Sequence, residues 1–394
     1  MKMFRQIRAV TAMNFCSLPQ RASTSLVIVI GIAGVVAVLV SVLAMSTGLI
    51  RTMENSGRED RAIVMRNGSV AETSSALDRD SARLVQDAAG IKHDAAGEPI
   101  LSAETMRILS LHKKEDDAEV SVILRGVGPK VTELRPELKI IQGRMFKPAV
   151  TEVIVGKSAS AQFKGLKLGD TINSRGATWT VVGVFSTDGD SHESTLMTDA
   201  ETLISVDQRG SFQSVTVMLD SAGAFQSFKD SLSANPTLAV DVIREREYYR
   251  QQSKAMSTII SVIAYVVGGI MAVGAIFGAL NTMYSAVSAR LQEIATLRAI
   301  GFGSTAMVMS VLAEALVLSL IGGVIGALIA WLFFNGNTVS TINGGIGQLV
   351  FELNVNPQLM ILGIVWACVI GLIGGLFPAV RAARLPVATA LRAV

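Results

Sequence analysis

Three groups of residues in this chain have types and spacings that chemistry could use. Gly156, Lys157 and Ser158 form the end of a phosphate-binding loop, in which backbone amides and a lysine cradle phosphate oxygens. The full pattern needs a glycine five positions earlier, and position 151 is Thr. No other stretch offers such a loop, so the chain is expected to bind no nucleotide and to hydrolyse none. The run Asp188, Gly189, Asp190, Ser191, His192, Glu193 gathers carboxylates and an imidazole. Its spacing is not that of a calcium loop, and with only three histidines in the chain (93, 112 and 192) a zinc site is not expected either. It is expected to be a polar turn between strands. No Ser–His–Asp or Cys–His arrangement stands out, so the expectation is no catalytic, metal or cofactor-binding residue. The third group is different in kind. Arg290, Glu293 and Arg298 are the only ionised residues of 286–304, an island between two apolar runs. Charges so placed suit docking, not bond chemistry.

The elements that must position this island follow from charge patterning. Half of the 394 residues are apolar and only 17% are charged, against about a quarter in soluble proteins. The deficit is concentrated: 22–50, 255–289 and 353–380 hold no Asp, Glu, Lys or Arg, and 299–351 holds only Glu314. A helix of about 20 such residues crosses a bilayer. Four transmembrane helices are predicted at 25–48, 256–283, 305–334 and 358–380. The segment 1–24 holds Lys2, Arg5 and Arg8 against Phe4, Ile7 and Val10, and predicts a basic amphipathic helix lying on the membrane. Lys and Arg flank the first span at its start, occupy 284–304 and return in the tail 381–394, whereas the short loop 335–357 has none. By the positive-inside rule both termini and 284–304 are cytoplasmic, and 49–255 and 335–357 are outside.

The insert 49–255 has the composition of a soluble domain. Runs rich in Val and Ile predict strands at 62–65, 120–124, 152–155, 178–185, 214–219 and 238–243. Helices are predicted at 75–89, 158–163, 200–206 and 222–234, with Ser74 or Asp78 capping the first. The fold class is α+β: a four-helix membrane bundle with a large α+β extracytoplasmic domain inserted between helices 1 and 2. The run 112–117 is expected to be a solvated loop. Gln348, Glu352 and Asn354 alternate with Leu349, Phe351, Leu353 and Val355, so 335–357 should hold a short strand or hairpin packed under the large domain. Neither cysteine, Cys16 or Cys368, falls in the insert, so it carries no disulfide.

Within 286–304, Leu291, Ile294, Leu297 and Ile300 recur every three residues, and Gly301 follows as a stop. A helix this short is marginal alone, so its apolar stripe is expected to meet a separate protein. Gly274 and Gly278, Gly322 and Gly326, and Gly371 and Gly375 are each four apart, a spacing that lets helix backbones approach closely. Glu314, ionisable within a span, is expected to bond a neighbouring helix near the inner interface.

The run 290–331, RLQEIATLRAIGFGSTAMVMSVLAEALVLSLIGGVIGALIAW, resembles the FtsX-like permease domain of MacB-type ABC transporters, as does FPAVRAARLPVATALRAV at 377–394. IIQGRMF (140–146), EVIVGKSASAQF (152–163), LGDTI (168–172) and WTVVGVF (179–185) resemble the MacB periplasmic core domain. The resemblance implies a bacterial inner-membrane permease that pairs with a second, identical or paralogous, and is served by a cytoplasmic ATPase. Arg290, Leu291, Glu293, Ile294, Leu297, Arg298 and Gly301 fall in the family's coupling helix. ATP and Mg would be held by that ATPase, which must be a separate polypeptide because only about 20 residues precede the first span. The family's mode of action is mechanotransmission, in which the ATPase cycle moves the external domain. The expected role is export through a periplasmic adaptor and an outer-membrane channel. Release of lipoproteins, as in the Lol system, and activation of a cell-wall hydrolase, as by FtsX, are the alternatives. An ion-coupled carrier is disfavoured by the near absence of intramembrane charge. A cysteine placed at Ser191 is expected to react with a reagent confined to the outside.

Overall fold

The structure is a computed structural model that describes residues 6–8, 10–13, 22–343 and 347–384. Most of the predicted N-terminal helix, Cys16, Pro386 and the tail from 385 lie outside the described residues. In chain order the first elements are α1 (Ala22–Asn55), β1 (Arg61–Arg66), α2 (Arg79–Gln86), β2 (Leu101–His112), β3 (Glu119–Val127), β4 (Lys139–Gly143), β5 (Glu152–Gly156), α3 (Lys157–Gln162) and β6 (Thr171–Ser174). Then come β7 (Ala177–Ser186), β8 (Leu196–Asp199), α4 (Ala200–Asp207), β9 (Ser214–Met218), α5 (Phe225–Ser233), β10 (Val240–Arg244) and α6 (Glu245–Ala289). The chain ends with α7 (Leu291–Ala299), α8 (Ser304–Phe334), β11 (Thr338–Asn343), β12 (Gly347–Glu352) and α9 (Pro357–Arg384). It divides into a helical unit (1–47, 257–337 and 353–394) and an α+β unit (48–256 and 338–352).

The α+β unit is built on a ten-stranded sheet in the order β10-β1-β9-β2-β3-β8-β5-β7-β4, with β6 paired to β7. Strand β2 joins its two halves. Residues 101–104 pair with β9 and 105–112 with β3, both antiparallel. One core gathers Val64, Val215, Val217, Phe228 and Leu232 against α2 and α5. The other gathers Leu124, Val155, Phe163 and Trp179. The six predicted strands are present, and the helix predicted at 75–89 is the shorter α2, capped by Asp78, whose side chain accepts from the Ser81 amide at 2.6 Å. The short 4-residue β6 and β8 gave too little periodicity to be read. Strand β2 was hidden because Ser102, Glu104, Thr105 and Arg107 break its apolar pattern yet are buried.

Two turns behave differently. The run at 112–117 closes the β2–β3 hairpin and is exposed, with Lys164 Nζ 2.7 Å from Asp117. The run at 188–193 is only partly a solvated turn: Asp188 and Gly189 are exposed, whereas Asp190, Ser191, His192 and Glu193 are buried. Carboxylates enter this interior because each meets donors, as buried polar groups must. The phosphate-loop resemblance also ends here. A side chain on Gly156 would collide with the Glu193 carbonyl, so the chain's own backbone fills the space beside the first turn of α3.

In the helical unit α1, α6, α8 and α9 are long and apolar enough to cross a membrane. They exceed the predicted spans. Helix α6 starts at Glu245, not 256, because Glu245 to Lys254 contain no Gly or Pro and place Glu245 and Glu247 at the positive end of the helix dipole. The core holds Ile32, Val36, Leu39, Ala327, Ala367 and Ile370. Glycine sets its close approaches. A side chain on Gly322 or Gly326 would run into Val29, Ile32, Ala33 or Val36 of α1, and one on Gly371 or Gly375 into Ser319 or Ala315 of α8. Gly274 and Gly278 differ: no described atom lies within 4 Å of a side chain added at either. The close approach expected for this pair, within a bundle or a dimer, is not made among the described residues of this chain, whose other helices approach α6 on a different face, where Gly268 meets Leu39.

Ser191 is therefore a poor labelling site. In a cysteine-free background, Asp116→Cys should react with an impermeant maleimide at the face of the membrane where the α+β unit lies, and Ser191→Cys should react at least about tenfold more slowly in folded protein. Equal rates, read by gel shift, would contradict the burial of the 188–193 turn.

Candidate functional site

The island at 286–304 folds as two helices with a sharp junction. Helix α6 ends at Ala289, and Arg290 leaves helical geometry at φ −110° and ψ 13° to start α7. Gly301 takes φ +103°, which only glycine adopts without strain, and the chain reverses into α8. The predicted stripe is real, and the chain itself is its partner at Ile294 and Leu297. Ile294 and Ala295 are buried, and Ile294 and Leu297 pack with Val10, Val287, Met307, Val311, Ala379 and Ala382. The expectation that a separate protein covers this stripe is corrected for Ile294 and Leu297, which α8, α9 and the described part of the N-terminal segment cover. Ile300, 71% exposed, continues outward.

Arg290 is corrected likewise. It is buried, and its Nη1 lies 3.2 Å from Glu314 Oε2. The expected bond between Glu314 and a neighbouring helix is thus an ion pair to the first residue of the island. A buried pair of this kind positions what it joins, since separating it strands a charge in an apolar surround. Gln6 adds a polar tie, its side-chain amide donating to the Gly301 carbonyl at 3.4 Å. What faces solvent is one edge of α7: Gln292, Glu293 (67% exposed), Thr296, Ala299 and Ile300. Leu291 and Arg298 are half-buried at its flanks.

The α+β unit holds a second constellation that sequence reasoning missed. Glu245, the first residue of α6, has no solvent exposure. Its carboxylate lies 2.7 Å from Arg135 and 3.4 Å from Arg61, and accepts the Arg58 amide at 3.1 Å. Arg61 also forks onto Glu137 at 2.6 and 2.8 Å. Beside it Arg125 forks onto Glu72 at 3.0 and 3.1 Å and meets Glu104. Ser214 donates to Glu72 at 2.6 Å, and the Glu72 amide donates to the Tyr248 hydroxyl at 3.1 Å. Burial alone would raise the Glu72 carboxyl, but the Arg125 charge and hydrogen bonds outweigh it and hold it below its ordinary range. Glu137 is lowered in the same way, with Arg61 outweighing burial. Burial pushes the Tyr249 phenol well up, so it stays protonated. These partners lie up to 187 positions apart in sequence, and no local pattern signals them. Among the described residues no group of three His, Cys, Asp or Glu could hold a metal.

Residues 22–235 match the family model described as the MacB-like periplasmic core domain, and 257–387 that described as the FtsX-like permease C-terminal. The chain is 30% identical over 166 residues to the macrolide export ATP-binding/permease protein MacB of Campylobacter jejuni, covering 42% of this chain and 21% of that protein. It is 33% identical over 169 residues to the protein of that name from Nitrobacter winogradskyi, again 42% and 21%. An uncharacterized ABC transporter permease of Methanocaldococcus jannaschii is 27% identical over 138 residues, 34% of each chain. The matches thus span about a fifth to a third of these relatives' length. Among solved structures, the periplasmic region of MacB from Actinobacillus actinomycetemcomitans is 18% identical, covering 54% of this chain and 97% of that one at a TM-score of 0.37. The extracellular domain of the noncanonic transporter YknZ is 15% identical, covering 47% and 100% at 0.36.

Removing one partner of a buried ionic cluster costs about 3–5 kcal/mol, whereas an exposed substitution changes stability by about 0.5 kcal/mol or less. Glu245→Ala should lower the unfolding midpoint of the full chain, followed by fluorescence of the buried Trp179 with Trp331 and Trp366 replaced by Phe, and Glu293→Ala should leave it in place. Glu72 and Glu137 are lowered in the folded state, so their contribution is present above the ordinary glutamate range and lost as pH falls through the folded values. The midpoint should be flat from pH 7 to about 5.5 on their account and drop below pH ~4.5; a profile unchanged by Glu72→Gln would contradict this assignment.

Proposed function

Because this chain belongs to the family of the MacB-like periplasmic core domain and carries an FtsX-like permease C-terminal, we propose that it converts an ATPase cycle on one side of a membrane into movement of its α+β unit on the other. It is a multi-pass ABC transporter permease. The proposal places it in the bacterial inner membrane with both termini and α7 in the cytoplasm and the α+β unit outside. The placement of Lys and Arg supports that orientation.

The observation that carries the reading is α7. Its inner face is locked to the bundle through Ile294 and through the Arg290 and Glu314 pair, while Gln292, Glu293, Thr296 and Ile300 face out. A short helix fixed on one side and open on the other can take a push and pass it on. The ATPase is a separate cytoplasmic subunit that holds ATP and Mg and grips the open edge of α7. Closure of two ATPase subunits then displaces two permeases, identical or paralogous. Helices α1 and α6, whose ranges run from the helical into the α+β unit, carry the displacement outward. ATP binding can shift this equilibrium because the motor contacts its open and closed states differently. The relatives named as macrolide export proteins support an export role, with a periplasmic adaptor and an outer-membrane channel completing the path.

Copurification tests the whole reading. The purified chain alone should hydrolyse no ATP above background, and an ATPase subunit should copurify with it. Glu293→Lys with Ile300→Asp should reduce the copurified ATPase about tenfold or more while membrane insertion and the unfolding midpoint stay unchanged. Full recruitment by this double variant would remove α7 as the docking edge. Capture of a lipoprotein carrier or a cell-wall hydrolase in place of an adaptor would move the assignment away from export.

A further inference from the structure

The 188–193 run, which looked like an idle polar turn, continues into a helical turn at Ser191–Ser194, and each of its four residues grips a different part of the α+β unit. The Ser191 amide donates at 2.8 Å to the Ser56 hydroxyl, and Ser56 in turn donates to Thr52, within the last turns of α1. His192 Nε2 stands 3.1 Å from the Tyr249 hydroxyl on the first turns of α6, and the two rings pack edge to face at 5.7 Å. Glu193 accepts from the Thr187 and Gly189 amides at 2.8 and 3.1 Å and from Ser158 at 3.2 Å, which ties the turn to the end of β7 and to α3. The Ser194 hydroxyl accepts the Val350 amide at 2.9 Å and lies 3.3 Å from the Val350 carbonyl, which ties it to β12.

Helix α1, helix α6 and the β11–β12 hairpin are the segments by which the chain passes between the units. All three are therefore held by one turn, through Ser191, His192 and Ser194, and its remaining residue, Glu193, holds the end of β7 and α3. We propose that Ser191–Ser194 is a coupling node: it sums the displacements of α1, α6 and the hairpin and delivers them to the sheet through Glu193. This rests on the mechanotransmission reading above and names the residues that would perform it.

Three features make the node stiff. Ser191, His192, Glu193 and Ser194 are buried, so their hydrogen bonds cannot be exchanged for water at no cost. Asp190 fixes His192, its Oδ1 accepting the His192 amide at 2.8 Å and its Oδ2 lying 2.9 Å from Nδ1. That pairing sets the ring so that Nε2 meets Tyr249. Gly156 lets the turn lie directly on β5, where any side chain would strike the Glu193 backbone. Gly57 performs the same service for the helix ends, since a side chain there would strike Glu245 and Arg246. Hydrogen bonds to oxygen span about 2.7–3.2 Å between heavy atoms and need a near-linear angle. A shift of an ångström in α6 must therefore either break the Tyr249 contact or drag the node with it.

The test uses the full chain purified with its ATPase in nanodiscs. Asp116→Cys is spin-labelled, and the distance between the two copies' α+β units is measured with and without a nonhydrolysable ATP analogue and Mg. Tyr249→Phe removes one oxygen, and Ser194→Ala removes the link to β12. Each should leave the unfolding midpoint within a few degrees and the ATPase rate within about twofold, yet at least halve the nucleotide-driven change in distance. Such uncoupling, with motor turnover preserved, is not what a merely structural turn would give. Movement retained in full by both variants would overturn the node while leaving the functional reading in place. A wild-type complex that shows no nucleotide-driven movement would overturn both.

Discussion

A carboxylate with no access to solvent sits at the head of a 45-residue helix and is held by two guanidinium groups. The rest of the α+β unit depends on this arrangement. Without Arg61 and Arg135, Glu245 would be a bare buried charge, and the helix would have to begin further along, outside the sheet. With them, α6 starts on β10 without an intervening loop and its direction is fixed by β1 and the turn after Val131–Leu134. The cost of burying so many charges is offset only because they are paired in series: Glu137, Arg61, Glu245 and Arg135 in one chain, Glu72, Arg125 and Glu104 in the next. Such series are poor sources of net stability but strict about geometry. Strictness is what a part that carries movement needs.

The same logic recurs at smaller scale in the helical unit. Arg290 and Glu314 form a buried pair where the polypeptide turns out of α6, and the pair decides where α7 lies. Both places follow one rule. A long apolar helix carries no information about where its end should sit, because its packing tolerates sliding. A buried ion pair at the end supplies it.

Much of this was legible beforehand, and the reasons for the failures are physical. Uncharged runs revealed the membrane-length helices because charge in a bilayer is costly, and that cost is written residue by residue. Strands such as β1, β5 and β9 were legible because each centres on a run of Val, Ile or Thr. Strand β2 was not, since its buried Glu104 and Arg107 are neutralised by Arg125 and Asp207 from distant segments. The stripe on α7 was visible at its helical spacing, but spacing does not say what covers a stripe, and Val10, Met307 and Ala379 are remote in sequence. Glycine spacing was equally mute. Gly322 and Gly326 press against α1, whereas a side chain added at Gly274 or Gly278, spaced alike, would meet nothing within 4 Å among the described residues. The run at 188–193 misled most, because polar composition ordinarily marks a surface, and here Asp190, Ser191, His192 and Glu193 lie in the interior and make hydrogen bonds there.

The hairpin of β11 and β12 is counted with the α+β unit although its sequence lies between α8 and α9. An excised fragment ending at 256 would therefore be two strands short. Ser194 would lose both its contacts to Val350, and Gly48 would no longer abut Glu352. A recombinant soluble piece would be faithful only if 338–352 were grafted back onto it, by a linker or as an added peptide.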